Sequence, residues 1–111
     1  MKCNCEFELL SKMENGVIHR QNKKMYRVEY GNMLILFGVK QFNIFKRFIL
    51  NMTEEKAKDY LLPPTNKIVI QPTNYLGSYT FSLDEFYQLR KLFIEADDVL
   101  KVEQELKAIF K

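Results

Sequence analysis

Apolar and polar residues alternate through the first third of the chain with the two-residue period of β-strands, and the spacing then changes to the three-to-four of helices. Cys5-Glu6-Phe7-Glu8-Leu9 sets apolar positions against acidic ones and reads as a half-buried strand. Asn15-Gly16 follows, a pair suited to a tight hairpin because both residues tolerate positive φ. Val17-Ile18 opens the return strand, and Gln21-Asn22-Lys23 reads as the next turn. Met25 to Tyr30 alternates again, with Tyr26, Val28 and Tyr30 on one face and Arg27 and Glu29 on the other. After a Gly31-Asn32 turn, Met33-Leu34-Ile35-Leu36-Phe37 is continuously apolar, which predicts a central strand covered on both faces. These segments make a four-stranded meander.

A helix is predicted from about Val39, with Phe42, Phe45, Phe48, Ile49 and Met52 on its apolar face and Lys40, Asn43, Lys46 and Arg47 largely on its exposed side. Thr53 is placed to cap a short second helix whose first turn carries Glu54 and Glu55, and Pro63-Pro64 ends it. Lys67 to Gln71 reads as a strand stopped by Pro72, Thr73 to Gly77 as a turn, and Ser78 to Phe81 as the return strand. Ser82 and Glu85 form a capping box. Leu83, Phe86, Leu89, Leu92, Phe93 and Ala96 then follow helical spacing. Val99, Leu100, Val102, Leu106, Ile109 and Phe110 continue the apolar content beyond Asp97-Asp98, where the pattern is compatible with one long helix or with two.

The order strands, helix, strands, helix predicts a single α+β domain over 1–111, with an antiparallel sheet of about six strands and two main helices on one face. A tandem ββα repeat is also suggested, with half-repeats at 17–52 and 67–96. A strand ends on Phe37 and on Phe81, a helix begins at once, and Phe42 and Phe86 occupy equivalent positions.

Composition narrows the class. The chain has 111 residues, 47% of them hydrophobic, which is enough for a packed core without disulfides. No apolar run approaches the roughly 20 residues of a membrane span, and the N-terminus lacks a signal-peptide core, so a soluble cytoplasmic protein is expected. The net charge is +3, unevenly spread: residues 1–52 hold nine Lys/Arg against four Asp/Glu, while residues 53–111 are mildly acidic. Such asymmetry suits either an anionic partner or complementary packing between halves.

Three sets of residues are candidates for chemistry. Cys3, Cys5 and His19 could supply three metal ligands, but structural zinc sites need four, so neither metal nor cofactor is expected. His19 stands without a nucleophile elbow, a His-Glu-x-x-His pair or a phosphate-binding glycine loop, so no catalytic residue is assigned. Arg20, Lys23, Lys24 and Arg27 form a basic hairpin around His19 to Arg27, with Tyr26 available for stacking; this is the nucleic-acid-binding alternative. A hairpin turn is normally polar, however, and lysines at sheet edges also block unwanted pairing. The aromatic helix positions are read as core. Should Tyr26, Val28 and Tyr30 lie on an outer sheet face, they would form the kind of apolar patch that marks an oligomer interface.

The N-terminal cysteines, Asn15-Gly16, Gly31-Asn32 with Met33 to Phe37, and Gln41-Phe42 with Phe45-Lys46 resemble a family of small uncharacterised bacterial proteins. Members tend to carry extra cysteines in the hairpin that here runs from His19 to Tyr26, and this chain has none there. The resemblance implies a bacterial cytoplasmic origin and no assigned activity. The leading expectation is a non-catalytic protein-interaction module or homodimer, with no membrane partner.

Overall fold

β1 (Phe7–Met13), β2 (Gly16–Gln21), β3 (Met25–Tyr30) and β4 (Met33–Gly38) pair antiparallel with their sequence neighbours in one sheet of order β1-β2-β3-β4. The structure is a computed structural model that describes residues 7–71 and 78–109. α1 (Val39–Asn51) and α2 (Glu54–Lys58) follow. β5 (Ile68–Ile70) and β6 (Tyr79–Phe81) then pair with each other, and α3 (Leu83–Ile109) is the last described element. The fold is α+β, with the expected meander and hairpin. The hairpin forms its own two-stranded sheet and does not extend the meander. Cys3, Cys5 and the Thr73–Gly77 turn lie outside the described residues.

Local chemistry explains the boundaries. At the β2–β3 turn, Asn22 and Lys23 both have positive φ, 52° and 58°, and the Lys24 amide donates to the Gln21 carbonyl at 3.0 Å. This left-handed pair matches the twist of the strands it joins. Gly31, at φ 56°, performs the equivalent task before β4. Ser82 and Glu85 make both bonds of the capping box: the Ser82 amide donates to the Glu85 carboxylate at 2.7 Å, and the Glu85 amide donates to Ser82 Oγ at 3.2 Å. Thr53 caps α2 by accepting from the Lys56 amide.

Gly16 has a different role from the one its turn position suggests. No positive φ is present at Asn15 or Gly16. A Cβ on Gly16 would lie 2.9 Å from the Tyr30 ring and 3.0 Å from Leu92 of α3, so glycine is required by close approach. The same tip is tied to the next turn, because the Gly31 amide donates to the Asn15 carbonyl at 2.8 Å.

α3 lies over β1 and β2, and α1 over β3 and β4. Both helices therefore cover one face of the sheet. Tyr26, Val28 and Tyr30 belong to that covered face and are core, not an outer patch. A register shift between Leu9 and Ser11 turns Leu10 and Ser11 inward in succession. Phe42 stacks on Tyr26 with centroids 3.9 Å apart and planes within 7°. It also stacks on Phe93, while Phe45 meets both Phe37 and Phe93. Phe37 and Phe81 are both buried where their strands end, as are Phe42 and Phe86 one turn into the helices that follow.

Two expectations are corrected and one open alternative is settled. β4 is an edge strand with strict alternation, Met33, Ile35 and Phe37 inward and Leu34 and Leu36 outward. Five consecutive apolar residues thus do not require two covered faces. Phe48 is 44% exposed: it lies at the flank of α1, and the core stripe passes through Phe42, Phe45 and Ile49. Asp97-Asp98 interrupts nothing, and α3 runs unbroken for 27 residues, about 40 Å at 1.5 Å per residue. Asp97 is accommodated because Lys46 of α1 donates to it at 2.8 Å and Lys101, one turn on, at 3.1 Å.

Gly16→Ala is expected to destabilise the protein by about 1–3 kcal/mol through overpacking. Gly31→Asn, at an open left-handed position, is expected to leave stability nearly unchanged, because asparagine tolerates that conformation. Urea unfolding of the two variants checks the contrast.

Candidate functional site: an uncovered sheet face

The four cations of the basic hairpin do not share a surface. Arg20 points into the covered face and is 5% exposed. Its guanidinium grips two carboxylates at once, donating to Glu8 from Nε at 3.3 Å and Nη2 at 2.7 Å, and to Glu103 of α3 from Nη1 at 3.1 Å and from Nη2. This clasp joins β1, β2 and the C-terminal half of α3. Arg27 is on the opposite face and pairs with Glu29 at 2.6 Å. Lys23 and Lys24 sit at the exposed turn between them. The pattern of Arg20 in β2 did not reveal its burial, since its partner Glu103 lies 83 residues away.

The clasp has electrostatic consequences. Bonds from Arg20, against a smaller opposing effect of burial and with help from Lys107, hold the Glu103 carboxyl down to about 2 from its ordinary 4.5. Glu103 and Glu8 in turn raise Arg20 further above its already high range. For Asp97, burial pushes the carboxyl up, but the bonds from Lys46 and Lys101 outweigh it and the group ends below its usual range. Burial, then the nearby charge of Glu85, pushes the Tyr30 phenol up, and its hydroxyl donates to Gln88 at 3.0 Å.

His19 lies on the uncovered face, between Leu9 and Arg27 in register, with its ring edge-on to Phe7 at 6.3 Å. No group of three or more His, Cys, Asp or Glu side chains that could hold a metal ion is present among the described residues.

What the uncovered face does present is apolar. One row across the sheet runs Leu9, His19, Arg27, Leu36; the flanking rows bring Phe7 with Met25, and Val17 with Leu34. Phe7, Leu9, Leu34 and Leu36 are each about half exposed, at 53%, 55%, 49% and 48%. No described element covers them. The alternation of β4 brings Leu34 and Leu36 here, and β1 brings Phe7 and Leu9, so both edges of the sheet contribute apolar residues while the centre carries the Arg27–Glu29 pair. These residues were legible as strand positions. Their exposure was not, because the apolar run of β4 looks the same whether one face is covered or two.

Fold and surface together define a two-layer α+β domain with one bare sheet face. The chain belongs to DUF6686, a family of unknown function whose model matches residues 1–108. No curated protein and no solved structure matches it significantly. No helix among the described residues is long and apolar enough to cross a membrane.

Two outcomes follow from the clasp. Arg20→Met is expected to cost about 2 kcal/mol, less than the 3–5 kcal/mol for one half of a fully buried pair, because Glu8 and Glu103 retain access to water. Because the folded Glu103 value lies below its unfolded one, its stabilisation is complete above pH 4.5 and is lost as pH falls toward 2. Glu103→Gln is therefore expected to melt lower than the wild type at neutral pH, with the difference shrinking through that window; thermal melts across pH measure it.

Proposed function

We propose that this protein is a non-catalytic interaction module of a bacterial cytoplasm, and that its bare sheet face seats a second copy of the same chain. The observation that carries this reading is the half-exposure of Phe7, Leu9, Leu34 and Leu36 on one face. Exposed apolar side chains gathered on one face in this way, here as two margins flanking a polar centre, are a mark of protein contact sites. Self-association is favoured over a strongly charged partner because the face carries little net charge, Lys12 in the row of Val17 and Leu34 adding one cation to the Arg27–Glu29 pair. Its ion pair, Arg27 with Glu29, lies on the inner strand β3 between two apolar margins. A two-fold axis through such a face sets Arg27 of one copy near Glu29 of the other and apolar margin on apolar margin, the self-complementarity an isologous interface requires. Two sheets meeting in this way pack about 10 Å apart with interdigitated side chains. The bacterial cytoplasmic setting rests on the family resemblance.

Light scattering coupled to size exclusion, from micromolar to millimolar protein, is expected to show a dimer. Leu36→Lys is expected to give a monomer with an unchanged melting temperature measured at a concentration where the wild type is also monomeric, since an exposed position tolerates the charge. A wild-type monomer throughout the range overturns the reading.

A further inference from the structure

We propose that the furrow between α1 and α3 binds a small ligand carrying linked phosphate groups. The two helices run antiparallel, and two cavities of about 260 and 270 Å³ lie along their junction, sharing Asn43 and Lys46 as common walls. The first holds Arg20, Lys23, Lys46 and Lys107, with Glu103 as its only carboxylate. The second adds Arg47 and Asp97. Cations thus outnumber carboxylates by five to two along the furrow.

The carboxylates are already engaged. Glu103 is shared between Arg20 and Lys107, and Asp97 between Lys46 and Lys101. Lys23, at one end, and Arg47, at the other, have no ion-pair partner among the described residues. A half-enclosed groove concentrates the field of such an excess and raises the local concentration of anions. Asn43, Gln104 and the Tyr26 side chain add polar groups to the walls.

The dimensions select the ligand. From Val39 to Arg47 the furrow follows α1 for about 12 Å at 1.5 Å per residue. That exceeds a single phosphate and suits two or more linked ones, with Arg47 able to grip phosphate through its planar fork. The length and the two carboxylates in the walls disfavour a continuous nucleic-acid backbone, which needs an unbroken cationic track. The furrow lies on the covered side of the sheet, lined by both helices and by Arg20, Lys23 and Tyr26 of the meander, so this inference stands independently of the uncovered face.

Calorimetric titration of the full chain at low salt tests it, with inorganic pyrophosphate, inorganic phosphate and a single-stranded oligonucleotide as probes. Saturable one-to-one binding of pyrophosphate, tighter than that of phosphate, is expected. Pyrophosphate is too short to span the furrow, so its binding should weaken about tenfold in Lys23→Gln or in Arg47→Gln, according to the end at which it sits, as expected for the loss of a charge-assisted contact. Neither variant removes a described ion pair, so their melting temperatures without ligand should match the wild type. Lys107→Gln provides a third position should either fail to fold. Absence of pyrophosphate binding overturns the proposal. So does binding that all these variants leave unchanged, or oligonucleotide binding that tightens with length while pyrophosphate fails to compete.

Discussion

Phe42 is the residue on which the rest of the arrangement depends. It stacks on Tyr26 of the sheet below and on Phe93 of the helix beside it, so one ring fixes α1 against β3 and α3 against α1. Phe37 and Phe45 extend the same cluster. Fully burying such a side chain contributes about 1.5–3 kcal/mol, a large share of a net stability that in domains of this size is about 5–15 kcal/mol. The cluster also imposes a constraint. The core-facing apolar stripes of α1 and α3 are spent on one face of the sheet, and no described element covers the other.

The polar groups give that packing its register. Arg20 and Asp97 are both nearly buried, and each binds partners from two other places in the chain or one turn away. Such pairs contribute little net stability compared with well-packed apolar residues, because desolvation offsets their attraction. Their geometric demand is strict all the same. Glu103 meets Arg20 at one position of α3 along β2, and Lys46 meets Asp97 at one position of α1 along α3. Arg90 adds a third tie, donating to the Leu50 carbonyl at 2.9 Å in the last turn of α1, where helical carbonyls lack internal partners. These pairings also leave a surplus of positive charge along the α1–α3 junction.

Much of this could be read locally. The capping box at Ser82 and Glu85, the cap at Thr53, the turns at Asn22-Lys23 and Gly31 and the start of α1 all depend on groups within a few residues of one another. Burial of Phe42, Phe45, Phe86, Leu89 and Phe93 followed from helical spacing. What could not be read locally has one origin. Whether Leu34 and Leu36 are covered, whether Asp97 breaks a helix and whether Arg20 is free for a ligand are each decided by partners distant in the chain. Gly16 is the subtlest case: its turn was correctly placed, but the need for glycine comes from Leu92 of α3.

The sequence by itself therefore determined the elements, their order and the α+β class, because periodicity, caps and turn residues act over a single turn or strand. Only the tertiary structure decided which face of the meander meets the helices, and so which residues remain to face a partner. Alternation tells that a strand has two faces; the pairing of Phe42 with Tyr26 decides which of them is inside. The same packing turned a basic hairpin into three separate environments, a buried clasp at Arg20, an exposed turn at Lys23 and Lys24, and a surface pair at Arg27. It also gathered Lys46 and Arg47 of α1 with Lys107, far along the chain in α3, beside one furrow.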